Sequence, residues 1–238
     1  YYDYMRGLDT KDSVGIGGTI VHDGASPRFV MGLALGAYAL ALLLGLFICW
    51  QSSWWLAVLG ACFMLIGYLY TGGPYPIAAS PFGELFAGLC MGGGITCITF
   101  FIQTGFINWQ CFWLSLPIVL LIGMILTSNN IRDRVGDEIN GRKTLAILLG
   151  HRKAIRFMAI IFAIAYLWPI VPIVIYQQTP LLFLALLSLP KAIGAVKGFA
   201  PDNQQPSQMM PAMKLTAQTN TFYGLLYALG LLLSHWIA

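Results

Sequence analysis

Apolar residues run along this chain in long blocks separated by short polar interruptions. Seven blocks, 29–50, 54–70, 83–104, 107–128, 154–176, 180–198 and 215–237, reach or approach the roughly 20 residues that a helix needs to cross a bilayer. Backbone groups in hydrocarbon must be paired within the spanning structure, which leaves helices or a closed barrel. The blocks are too long, and too poor in period-two alternation, for barrel strands. The pattern predicts an all-α, polytopic transmembrane helical bundle with seven spans. Block 54–70 is short for a crossing. Block 180–198 carries Lys191 part-way, where its stem can snorkel or the helix can end early.

Composition agrees with the pattern. The 238 residues are 58% hydrophobic and 9% charged, against about 45–50% and about 25% in ordinary globular domains. The mean hydropathy is +0.75. This places the chain in the membrane class, with the lipid bilayer as a partner and no nucleic-acid partner expected. Cys49, Cys62, Cys90, Cys97 and Cys111 all lie inside apolar blocks without metal-binding spacing, and read as small buried apolar residues. His22, His151 and His235 are scattered and suggest no metal site. The chain begins at Tyr1 and not Met, which reads as a fragment or a processed form.

Charge adds a topology. With seven crossings, segments 1–28, 71–82, 129–153 and 199–214 share one face, and all 13 Lys and Arg and all nine Asp and Glu lie on or next to them, counting Glu84 and Lys191 as helix-end residues. The opposite connections are short and uncharged. Because positive residues mark the cytoplasmic side, the charged face is expected in the cytoplasm of a cell-membrane protein, with the C-terminus outside. Trp50, Trp54 and Trp55 then form an aromatic belt at the other interface.

The densest charge lies in "SNNIRDRVGDEINGRKTLAILLG", residues 128–150, which holds Arg132, Asp133, Arg134, Asp137, Glu138, Arg142 and Lys143. Asn129, Asp133 and Asp137 recur every four residues, so a helix would stack them along nearly one face. Two carboxylates and an amide oxygen are hard donors suited to Mg²⁺ that also holds phosphate. Arg132, Arg142 and Lys143 stand among them as candidate phosphate contacts. A solvated, salt-bridged helix end would look similar from spacing alone. A second acidic group, Asp3, Asp9 and Asp12 with Arg6 and Lys11 between them, opens the chain on the same predicted face, ahead of the glycines Gly15, Gly17 and Gly18. An even number of crossings separates the two groups, which makes them parallel and not inverted repeats. Two acid-rich segments converging at one mouth would fit metal ions clamping a diphosphate.

These residues also carry a resemblance. "NNIRDRVGDEINGRKTLAILLG", 129–150, resembles the second aspartate-rich motif of the UbiA superfamily of intramembrane prenyltransferases. "YDYMRGLDT", 2–10, looks like the tail of the first motif, which in the naphthoate branch runs Asn-Asp-x-x-Asp followed by Gly-x-Asp. "YTGGPYPIAASPFGE", 70–84, "FFIQTG", 100–105, and "KLTAQTNTFYGLLYALGLLL", 214–233, resemble other segments of that branch. The likeness runs through the whole chain, so 1–238 is expected to be a single transmembrane prenyltransferase domain. The family has nine spans, which implies that this chain lacks the first two. If Asp3 ends the first motif, its preceding Asn and Asp fall just before Tyr1, and activity would need them.

The resemblance implies Mg²⁺-dependent transfer of a polyprenyl group from polyprenyl diphosphate to 1,4-dihydroxy-2-naphthoate. The ring carbon would be alkylated with loss of carboxylate, giving demethylmenaquinone in menaquinone biosynthesis. Asp3, Asp9, Asn129, Asp133 and Asp137 would hold the metal, with the four aspartates as catalytic residues. Arg6, Lys11, Arg132, Arg142 and Lys143 would bind the diphosphate. Tyr70, Thr71, Tyr75 and Glu84 are candidates for the acceptor ring, although "TGGP" is also plain turn chemistry. Three alternatives stay open: a different acceptor such as 4-hydroxybenzoate, homogentisate or haem; a cation-coupled transporter; and a non-catalytic scaffold.

Overall fold

A computed structural model describes residues 1–10, 18–200 and 205–237. All regular structure among them is helical. The chain divides into two compact units, Tyr1–Ala79 and Ser80–Ala238.

The first unit is built on two long helices, α1 (Pro27–Gln51) and α2 (Trp55–Thr71). Ser26 starts α1 by accepting a hydrogen bond from the Phe29 amide, and Pro27 follows at the first helical position, where a missing N–H costs nothing. Only Cys49 of α1 is buried, and Leu33, Leu35, Leu43 and Phe47 are exposed. That surface is stable facing lipid, where apolar exposure carries no hydrophobic penalty. Trp50, Trp54 and Trp55 are all exposed around the α1–α2 turn, as a belt would require. Cys62, read from sequence as buried, is exposed on α2.

The second unit contains α3 (Gly83–Thr104), α4 (Trp109–Ile139), α5 (His151–Ile175), α6 (Pro180–Phe199) and α7 (Met210–Ile237). Its core gathers Leu121, Met124, Met158, Phe162, Leu182, Phe199 and Tyr223 from four of these helices. Two of its tyrosine hydroxyls are paired: the Tyr223 hydroxyl donates to the Ala165 carbonyl at 2.8 Å, and the Tyr166 hydroxyl meets Ser188 Oγ at 2.6 Å.

Helices α3 and α4 meet through missing side chains. Gly88 and Gly92, one turn apart, lie in a π-helical stretch, Gly88–Gly94. A Cβ on Gly88 would come within 2.4 Å of the Val119 carbonyl oxygen, and one on Gly92 within 2.7 Å of Val119 N and Cα. A Cβ on Gly123 would likewise reach 3.2 Å from the Glu84 carbonyl oxygen. This is small-residue membrane packing, in which backbones approach because nothing stands between them.

All seven predicted blocks are helical. Among the described residues five helices, α1, α3, α4, α5 and α6, are long and apolar enough to cross a membrane; α2, at 17 residues, falls among the shorter apolar ones. Helix α3 ends where predicted because Gly105 takes a left-handed conformation, φ 79°, that closes the last turn. The block at 107–128 differs. Asn108 caps the helix through Oδ1 to the Cys111 amide at 2.8 Å, but the helix continues past the apolar residues to Ile139. Most of what reads as the connection 129–153 is therefore helix, including the short Leu145–Leu149. Hydropathy marks where oil ends, not where backbone hydrogen bonding ends.

Candidate active site

The 31 residues of α4 extend about 46 Å at 1.5 Å per residue, well beyond a hydrocarbon core of about 30 Å. Its apolar part ends near Ser128. The last eleven residues, Asn129 to Ile139, thus form a polar helical extension about 16 Å long.

Packing against neighbours decides which of its side chains point inward. Gly123, Asn130 and Asp137 are all buried and seven residues apart, a stripe that drifts only about 20° per step. Asn129 and Asp133 sit on the flank of this stripe and are half-buried. The four-residue spacing of Asn129, Asp133 and Asp137 does put them on adjoining turns, but Asp137 alone of the three is buried, at 7% exposure.

Each carboxylate holds a guanidinium. Arg132 grips Asp133 with two hydrogen bonds, Nε to Oδ1 at 2.6 Å and Nη2 to Oδ2 at 2.5 Å. Its third nitrogen, Nη1, lies 3.7 and 3.5 Å from the sulfurs of Met210 and Met213 on α7. Arg142 donates to Asp137 Oδ1 at 2.9 Å, and its backbone amide donates to the Asp137 carbonyl at 3.0 Å. The chain thus folds back after α4 so that a basic residue faces the buried acid. Arg134 and Glu138 form a looser, exposed pair at 3.6 Å, and Lys143 is exposed.

One polar pair in this unit was not legible beforehand. Asn130 Nδ2 donates to Glu84 Oε1 at 2.9 Å, joining α4 to the start of α3. The four-residue spacing points to Asn129 and not to Asn130. The seven-residue offset to Asp137 was the available signal.

In the first unit, Asp3 lies in the short helix Tyr2–Met5, and its carbonyl accepts the Leu8 amide at 2.9 Å, which turns the chain so that Asp9 follows closely. Arg6 donates from Nη1 to the Thr71 carbonyl at 2.5 Å and from Nη2 to the Gly73 carbonyl at 2.7 Å, with its guanidinium 5.5 Å from the Tyr2 ring centre. The arginine expected on phosphate is thereby placed on the backbone at the end of α2, where carbonyls lack helical partners. Thr71 takes part through its carbonyl, and Tyr75 is 91% exposed. Tyr70 closes the same stretch at the end of α2. Lys11, Asp12, Gly15 and Gly17 lie outside the described residues.

The donors at Asn129, Asp133 and Asp137 are hard oxygens, and both carboxylates already attract cationic groups. That chemistry fits Mg²⁺ or a similar divalent ion. Among the described residues no three His, Cys, Asp or Glu side chains form a closed metal cage. Mg²⁺ ordinarily binds through one or two carboxylates plus substrate phosphates and water, so an open set of this kind still suits it.

Comparison with known proteins decides the family. Residues 19–217 match the UbiA prenyltransferase family. This chain belongs to that family. Within it, the chain is 54% identical over 236 residues to the 1,4-dihydroxy-2-naphthoate octaprenyltransferase of Bacillus subtilis, covering 99% of the chain and 76% of that relative. It is 28% identical over 216 residues to the Mycobacterium tuberculosis protein of the same name, covering 91% and 72%. The human UbiA prenyltransferase domain-containing protein 1 is 28% identical over 237 residues, covering 98% and 67%. No solved structure matches. As a UbiA member with a bundle of long apolar helices, the chain is a multi-pass membrane prenyltransferase. The transporter and scaffold alternatives fall away.

Proposed function

We propose that this protein transfers a polyprenyl group from polyprenyl diphosphate to 1,4-dihydroxy-2-naphthoate, with loss of the ring carboxylate, yielding demethylmenaquinone. The observation that carries this reading is the 54% identity, over 99% of the chain, to a relative named for that acceptor. Residues 1–238 act as one prenyltransferase domain in the cell membrane, with the charged segments on the cytoplasmic side and the C-terminus outside.

The proposed roles follow from the side chains. Asp3 and Asp9 in the first unit would offer oxygen ligands for Mg²⁺, and so would Asn129, Asp133 and Asp137 in the second. A divalent ion bound there supplies charge neutralisation for the departing diphosphate. Arg132, Arg142 and Lys143 contact phosphate oxygens and stabilise negative charge as the C–O bond breaks. The guanidiniums of Arg132 and Arg142 wait on Asp133 and Asp137. They need only share those carboxylates with the substrate complex to do this. Arg6 braces the 71–73 turn, and Lys11 adds positive charge nearby in sequence. Tyr70 and Thr71 belong to the segment assigned to substrate. The apolar helices take the prenyl tail and keep water from the allylic cation until the ring attacks it.

The acceptor is tested with membranes carrying the protein, a radiolabelled polyprenyl diphosphate and Mg²⁺. Each of 1,4-dihydroxy-2-naphthoate, 4-hydroxybenzoate and homogentisate is supplied in turn. Labelled, decarboxylated product should form with the naphthoate alone. Product from hydroxybenzoate or homogentisate in its place would reassign the acceptor.

A further inference from the structure

Glu84 is an anomaly in this fold. It stands at the start of an apolar helix, is 6% exposed, and forms no ion pair with any described residue. Asn130 Nδ2 occupies Oε1 at 2.9 Å, while Oε2 is buried and has no hydrogen-bond partner. Burying a carboxyl group without a full set of partners is costly, and such groups in native proteins call for an explanation. A hydrophobic side chain would serve packing better.

The geometry around Glu84 is rigid. Its backbone carbonyl is pressed against Gly123 of α4, and its side chain is tied to Asn130 on the same helix. Asn130 shares the interior stripe of α4 with Asp137, two turns further along. The free oxygen is therefore held beside the first turn of the polar extension, about 10 Å along the helix from Asp137 and on its membrane side.

We infer that Glu84 binds the aromatic acceptor: Asn130 fixes one carboxyl oxygen, and the other accepts a hydrogen bond from a ring hydroxyl. This deepens the proposed transferase function and rests on it. The polyprenyl diphosphate offers no hydroxyl, so the unpartnered oxygen matches the ring substrate and not the prenyl donor. A hydroxyl that donates to a carboxyl oxygen also pushes electron density into its ring, which favours attack by a ring carbon on the allylic cation. A site built to accept a hydroxyl's hydrogen bond discriminates strongly against an analogue without one, because the buried oxygen is then left unpaired.

Glu84→Gln separates this role from a structural one. Glutamine keeps its shape and keeps an oxygen for Asn130, but puts an N–H₂ where the free oxygen was. In membranes with matched amounts of protein, the variant should raise KM for 1,4-dihydroxy-2-naphthoate at least tenfold and leave KM for polyprenyl diphosphate within twofold. An O-methylated analogue of the naphthoate, added as a competitor, should bind the wild type at least tenfold more weakly than the dihydroxy compound. The variant should lose most of that preference. Wild-type acceptor KM in Glu84→Gln overturns the inference, as does a parallel rise in both KM values or an undiminished preference for the free hydroxyl. If the wild type prenylates hydroxybenzoate or homogentisate and not the naphthoate, the acceptor assignment fails separately. The same KM comparison, made with the phenol that is used, then decides the role of Glu84. Failure of the variant to accumulate in membranes would show a structural part for the carboxyl and also contradict the inference.

Discussion

Asp137→Ala is expected to lower prenyl transfer on the order of a thousandfold while the protein still inserts and keeps its helix content. Asp137 is the most buried acid of the polar extension of α4, and the chain after the helix returns to set Arg142 against it at 2.9 Å. Removing the carboxylate takes away a proposed metal ligand. It also leaves Arg142, whose Nε is already buried without a partner, holding an uncompensated charge. Asp137→Asn should be nearly as damaging, because an amide keeps the shape but is a poorer ligand for a hard cation. Labelled prenyl transfer in membranes, read beside far-ultraviolet circular dichroism of the purified protein, measures both halves. Activity within tenfold of wild type for both variants would remove Asp137 from the catalytic set.

Gly92→Val should have the largest effect on the fold. The new Cβ would lie 2.7 Å from Val119 N and Cα and 3.0 Å from the Ile118 carbonyl carbon, all backbone atoms that no rotamer change can move. Overpacking usually costs about 1–3 kcal/mol. With backbone on the other side of the contact, the cost should be about 3 kcal/mol or more, enough to deplete the folded protein. Gly60→Ala is the control, since no atom lies within 4 Å of its would-be side chain. Detergent extraction followed by size exclusion and a thermal melt should show Gly92→Val mostly lost or melting far earlier, and Gly60→Ala unchanged. Equal behaviour of the two would mean that α3 and α4 do not depend on glycine contact.

Much of the bundle can be read from the apolar blocks, since a bilayer demands a run of oily residues and a helix to carry them. The ends of α3 are legible because Gly105 is a conventional helix stop. The end of α4 is not: its last eleven residues are polar, and ion pairs such as Arg134–Glu138 maintain a helix that no hydropathy window detects. The same limit explains the choice of Asn129 over Asn130. Four-residue spacing identifies neighbours on a free helix, but the inward face of α4 is set by glycine contacts with α3, which have no counterpart in local spacing. The acids at 133 and 137 and the arginines at 132 and 142 are legible as a group because charge is so scarce elsewhere. Their pairing, and the use of Arg6 on the carbonyls of Thr71 and Gly73, depend on chain reversals that the sequence does not display.

The proposed function requires that carboxylates on this membrane prenyltransferase act on the diphosphate through a divalent ion. Membranes carrying the protein are stripped with EDTA, assayed for labelled prenyl transfer to 1,4-dihydroxy-2-naphthoate, and assayed again after Mg²⁺ is restored. Product should fall to background on chelation and return with Mg²⁺ in the wild type, but not in Asp137→Ala. Undiminished product in the presence of EDTA would contradict the account.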